Sequence, residues 1–229
     1  MPNEIISYFE MCRREGASLQ RGMNFGLSKD HSVILMSVRR GAPYRDHLDE
    51  DGSVLLYEGH DEPRTHSNPN PKQVDQPDLT PGGSPTQNGL FVRAAEDYKR
   101  GVRPPERVRV YEKLKQGIWS YNGVFHLVDG WKKHDGKRGV FRFKLVAVEG
   151  EEDFSIPPPP SAQRRRVIPT AVKLEVWKRD GGKCVICGAT EDLHFDHDLP
   201  YSKGGTSIAA ENVQLLCARH NLEKHDRIM

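Results

Sequence analysis

The chain has 229 residues, 36% hydrophobic and 29% charged, which is globular composition and length enough for two domains that each bury a core. No apolar run approaches a bilayer span, and Met1-Pro2-Asn3-Glu4 lacks the basic-then-apolar order of a secretion signal, so a cytoplasmic chain without membrane segments is expected. Lys and Arg number 34 against 32 Asp and Glu, a net charge of +2, so any positive surface for a nucleic acid must be local.

Apolar residues at helical spacing (Ile5, Tyr8, Phe9 and Cys12) predict an amphipathic helix from Glu4 to Arg14. Ser32 to Val38 and Ser53 to Tyr57 read as strands. Residues 62–86 are crowded with Pro, Asn, Gly and Thr, too long for an ordinary connection, and imply either disorder or a functional loop. A helix over Leu90 to Lys99 precedes strands at Arg107 to Tyr111, Gly123 to Val128 and Val140 to Val148. The expected fold is α+β, with a twisted β-barrel or sheet and flanking helices in the N-terminal part. Pro157 to Pro160 cannot supply ladder hydrogen bonds and mark a linker, here 156–166, ending in the basic run Arg164-Arg165-Arg166. That divides the chain into 1–155 and a compact 167–229, small enough to need a metal staple.

Cys12 stands alone, whereas Cys184, Cys187 and Cys217 cluster near the C-terminus with histidines, which points to metal rather than disulfides. Cys184-Val185-Ile186-Cys187 and Cys217-Ala218-Arg219-His220 form a C-x-x-C and a C-x-x-H pair, a ligand set that closes a tetrahedral structural zinc site.

Between the pairs lie Leu193-His194-Phe195-Asp196-His197-Asp198, Lys203-Gly204-Gly205 and Asn212, with Asn221 just after them. This order resembles the HNH (ββα-metal) nucleases over roughly Val172 to Arg227. The resemblance implies that His197 is the general base and that Asp196 and Asn221 hold a catalytic Mg²⁺ or Mn²⁺. Asn212 would fix the loop that aims His197. His225 lies four residues after Asn221 on the same helix face, and is either a further ligand or solvated. His194 shares a strand face with Asp196 and is expected to pack or hydrogen-bond.

The N-terminal part carries Tyr44-Arg45-Asp46, Asp51-Gly52, Tyr57-Glu58-Gly59 and Tyr121-Asn122-Gly123. These resemble the SRA (YDG) domain over roughly Asn24 to Glu149, with Asn122 where that family has Asp. The resemblance implies a pocket for a flipped 5-methylcytosine or 5-hydroxymethylcytosine, with Tyr44 and Tyr57 as stacking walls and Asp46 accepting from the cytosine amino group. His47 or Asp49 takes that role if the alignment shifts. Together the two resemblances imply an SRA–HNH modification-dependent restriction endonuclease acting on double-stranded DNA, expected as a homodimer because one HNH site cuts one strand. The rivals are an HNH nuclease of different specificity and a zinc-stabilised DNA reader that does not cut.

Overall fold

The computed structural model describes residues 3–49, 52–66, 68–148, 167–199 and 209–224. The linker 156–166, the turn Lys203-Gly204-Gly205, Asp51 and His225 lie outside them.

The first element is a strand where the sequence predicts a helix. Glu4–Ser7 forms β1, and only Tyr8–Glu15 is helical (α1). The signal was local: the Ser7 hydroxyl accepts the Glu10 N–H while the Glu10 carboxylate accepts the Ser7 N–H, a capping box that starts the helix at residue 8. Met11 is buried, but Phe9, assigned to the apolar face by spacing, is 85% exposed.

β2 (Met23–Asn24), β3 (Ser32–Met36), β4 (His47–Leu48) and β5 (Val54–Glu58) follow. α2 (Gln87–Lys99) begins one turn earlier than its apolar pattern, capped by Thr86. β6 (Glu106–Lys115), β7 (Ile118–His134) and β8 (Gly139–Ala147) are longer than their Val- and Phe-rich cores suggest. They wrap with β2, β3 and β5 around a core that includes Ile34, Leu55, Tyr57, Phe91, Phe125 and Phe143. The described part of 62–86 is a pinned loop. Gln76 is fully buried, donates to Gly59 O and accepts from Phe141 N, while Arg138 donates to Pro71 O, Val74 O and Asp61.

After the linker come α3 (Thr170–Arg179), β9 (Leu193–His197), β10 (Val213–Cys217) and α4 (Ala218–Lys224). β9 and β10 pair antiparallel, and they do not form a separate sheet. The ten-stranded order runs β10-β9-β1-β7-β6-β3-β2, with β8 also on β7, β5 on β8 and β4 on β5. β1 is the seam. It pairs with β7 over Glu4–Ser7 on one edge and meets β9 at His194 on the other. Asn3 N bonds Tyr121 O, and Phe195 N bonds Asn3 O. A core of Leu114, Ile168, Val172, Val176, Phe195 and Leu215, packed by Ile5 and Ile118, draws on both halves of the chain. The fold is α+β. Among the described residues no helix is long and apolar enough to cross a membrane.

Val167, where the chain re-enters, belongs to the N-terminal core. It passes so close to Gly52 that a Cβ there would stand 2.0 Å from the Val167 carbonyl oxygen, and Gly52 has φ +69°. Gly52→Ala should therefore destabilise the full chain by more than about 1 kcal/mol, from left-handed strain and backbone collision together. Urea denaturation of the variant beside the parent measures it, and an unchanged midpoint contradicts the close approach.

Candidate functional site

Cys184 and Cys187 sit on the tight turn after α3, where Gly188 N bonds Cys184 O and Cys184 N bonds Ala189 O. Cys217 ends β10, and His220 follows on α4. The four ligand atoms lie within 4.8 Å of one another, with Cys184 Sγ and Cys217 Sγ 3.4 and 3.3 Å from His220 Nδ1 and Cys187 Sγ 3.9 Å from Cys217 Sγ. Metal–sulfur arms of about 2.3 Å at tetrahedral angles set neighbours roughly 3.8 Å apart, so the cluster fits zinc. Burial pushes the Cys184 thiol up. The N–H groups of Cys217, Cys187 and Ile186 and the His220 ring outweigh that and bring it to about 6, toward the thiolate a metal takes.

The Asp-His pair closes β9 opposite β10, with His197 registered on Val213 and Asp196 on Gln214. Asn212 acts on the chain just beyond. Its side chain accepts from Leu199 N at 2.7 Å and donates to Leu199 O at 3.1 Å, and its own carbonyl accepts from Asp198 N. The loop leaving His197 is thus clamped at both its first residues. Burial holds the His197 imidazole below its usual value, against the opposing pull of Asp196, so at neutral pH it is an uncharged base.

α4 lies against this strand pair and carries Asn221. It also carries a residue that motif reading missed: Lys224, whose buried ammonium is 2.5 Å from Asp196 Oδ2 and also donates to the His197 carbonyl. The signal available was its position three residues after Asn221, on the same helix face. A cation already sits at one of the two Asp196 oxygens. A divalent metal at Asp196 would have to share that carboxylate with the Lys224 ammonium. His194 is buried on the same strand, and its Nδ1 finds no partner among the described residues.

In the N-terminal body, Tyr44, Asp46 and His60 line a cavity of about 490 Å³ with Tyr8, Met36 and Trp119. The Tyr44 and His60 rings are stacked, 4.8 Å apart at 10°, and the Lys72 ammonium lies 4.1 Å over Tyr44. Tyr57 stands behind the cavity: its ring is 1% exposed in the core and its hydroxyl is 2.9 Å from His60 Nε2. Asp46 bridges two strand ends, accepting from Ser37 N after β3 and from Glu58 N in β5. His47 is exposed on β4, lining a separate groove with Trp131 and Lys133, and Asp49 caps the turn into β5 through Val54 N. His60 was not singled out by sequence, although it directly follows Tyr57-Glu58-Gly59.

Tyr121-Asn122-Gly123 points elsewhere. Asn122 Oδ1 accepts from the Lys173 ammonium of α3 at 2.7 Å, and its Nδ2 donates to Glu112 Oε2 at 3.1 Å. An amide does both through separate atoms. An aspartate here would lack the donor and would put a second negative charge beside Glu112.

Replacing Cys184 or Cys217 by Ser should abolish zinc binding and lower the melting temperature, since the turn at Cys184 and the start of α4 pack only on a small cluster with Leu193 and Leu216. Zinc content measured with the melting curve tests this, and a zinc-free variant with unchanged melting would refute the four-ligand assignment. The cavity generates a pH prediction. Burial raises Asp46 to about 7 and lowers His60 to about 4. In the unfolded chain Asp46 ionises near 3.8, so its folded form holds a proton that the unfolded form lacks between there and about pH 7. That contribution to stability is full below about pH 4 and is lost as pH rises to 7. His60 acts in the opposite sense, because its unfolded form holds a proton that the folded form lacks between about 4 and 6.5. The two largely offset in the parent, so Asp46→Ala should unmask stability that rises with pH across that range, read as denaturation midpoints from pH 4 to 8.

An HNH endonuclease family profile matches residues 184–227. Over 121 residues the chain is 31% identical to histone-lysine N-methyltransferase family member SUVH2 of Arabidopsis thaliana, a match spanning 52% of this chain and 17% of that relative's length. Among solved structures, the SUVH5 SRA domain with hemimethylated CG DNA aligns with TM-score 0.44 and 20% identity, over 66% of this chain and 90% of that one. The same domain bound to fully hydroxymethylated CG DNA aligns with TM-score 0.45, again at 20% identity and the same coverage. Likeness of this degree leaves the roles of individual residues to the geometry of this chain. Residues 184–227 thus match the HNH endonuclease family, and about half of the chain is similar to a stretch of SUVH2.

Proposed function

We propose that the chain is a modification-dependent, type IV-like restriction endonuclease. It would take a flipped 5-methylcytosine or 5-hydroxymethylcytosine from double-stranded DNA into the Tyr44–Asp46 cavity and hydrolyse a phosphodiester at His197. The observation that supports cutting is the arrangement of Asp196 and His197 at the end of β9, with the following loop clamped by Asn212 and α4 laid alongside. Neutral His197 takes a proton from water as the water oxygen bonds to phosphorus. The bond from phosphorus to the leaving sugar oxygen breaks, and that oxygen is protonated from solvent. Asp196 and Asn221 would hold Mg²⁺ or Mn²⁺, which neutralises charge on the phosphate and the leaving oxygen. One such site cuts one strand, so a double-strand break calls for two protomers. Acting on intracellular DNA, the enzyme would work in the cytoplasm.

In the cavity, Asp46 supplies the acceptor for the cytosine amino group, and its two backbone hydrogen bonds hold it still. Tyr44 supplies a flat wall once His60 gives up its stacked place. That stacking also favours a second reading, an HNH nuclease whose body recognises unmodified or different DNA, because the Tyr44 ring is already stacked by His60 and approached by Lys72.

Digestion of one duplex carrying cytosine, 5-methylcytosine, 5-hydroxymethylcytosine or its glucosylated form separates the two. Equal cutting of all four supports the second reading. His197→Ala should abolish cutting in Mg²⁺ while folding and DNA binding persist, and near-parental cleavage would remove it as the base. Asp46→Ala should reduce the preference for modified DNA by about tenfold, the effect of leaving one buried donor unpaired at about 1–3 kcal/mol. Paired duplexes differing by one methyl group measure that ratio.

A further inference from the structure

Lys173 is fully buried, and so is Glu112, whose carboxylate is 2.8 Å from the Lys173 ammonium. Thr170, at the start of α3, donates to the other Glu112 oxygen. Asn122 completes the cluster from β7. Burial lowers the Lys173 ammonium, and Glu112 raises it again. The members come from opposite sides of the linker: α3 opens the C-terminal part, whereas β6 and β7 belong to the N-terminal body. The same joint includes β1 between β7 and β9, and Val167 against Gly52.

A tether alone would not seat the two halves. A buried ion pair with fixed hydrogen bonds behaves differently, because each partner is stranded if the elements shift.

We infer that Lys173 is a positioning residue whose buried contacts with Glu112 and Asn122 fix the His197 site relative to the Tyr44–Asp46 cavity, so that the cut falls at one set distance from the base that is read. This rests on the proposed reading and cutting functions. The distance then becomes a property of the fold, and the spread of cut positions reports on the joint.

The test uses the full chain with Mg²⁺ and a long duplex bearing a single 5-methylcytosine, with ends mapped to the nucleotide. The parent should cut at one or two adjacent positions, and Lys173→Met should at least double that number. Asn122→Ala leaves the Lys173–Glu112 charges paired and removes one acceptor from Lys173 and one donor to Glu112. It should widen the spread less, and it serves if Lys173→Met does not fold. Loss of stability alone would lower the yield of product without moving the ends. Hydrogen exchange by mass spectrometry supplies a readout independent of cutting. Peptides of α3 and β9 should exchange together with β6 and β7 in the parent, and ahead of them in the variants. A parent that fails to cut modified DNA defeats the proposed function and leaves exchange to judge the joint. Scattered parental cuts, parental exchange that is already uncoupled, or variants matching the parent in both readouts would overturn the inference.

Discussion

A lysine ammonium removed from water needs a counter-charge and acceptors, and Lys173 has both only because α3 rests on β6 and β7. Much of the architecture follows from that requirement. α3 carries the chain from the N-terminal core, through Val167, toward the turn that bears Cys184. At its far end Arg179 donates to Ala210 O and Val213 O, and Asp180 accepts from Leu215 N, so the same helix also fixes β10. The strand pair that holds Asp196 and His197 is therefore framed by α3 on one side and by β1 on its edge.

Within residues 167–224 the dependence runs from the Cys184, Cys187, Cys217 and His220 cluster outward. α4 spans only Ala218 to Lys224, too short to be stable by itself, and it begins directly after Cys217. His220 ties its first turn to the cysteine cluster, while Lys224 ties its last turn to Asp196 and the His197 carbonyl. Asn221 is positioned between these two anchors. A structural zinc would thus decide where α4 sits.

The cavity of the N-terminal body shows burial overriding ordinary charge. An aspartate and a histidine facing one space would usually form an ion pair. Here Asp46 is raised to about 7 and His60 lowered to about 4, so between those values both are neutral. Arg39 and Lys113 line the same space, so its fixed charge is positive, and Tyr57 reaches His60 from behind to keep that ring in place.

The sequence alone determined the ligand chemistry. Two Cys/His pairs at fixed short spacings, the Asp-His pair between them and the Asn212 clamp were readable because each works over a few residues of local backbone. So was the capping box at Ser7 and Glu10, although the helical spacing of Ile5 and Tyr8 drew attention from it and turned a seam strand into part of a helix. What the tertiary structure decided was every relation between residues far apart in the chain. Nothing in the pattern of β1 says that it lies between β7 and β9, since an edge partner contributes only backbone hydrogen bonds. Lys173, Glu112 and Asn122 are each unremarkable surface residue types, and become a buried cluster only when segments 51 and 61 residues apart meet. His60 and Lys224 were hidden for the same reason: their partners Tyr44, Tyr57, Asp196 and His197 are supplied by packing, which a one-dimensional spacing cannot encode.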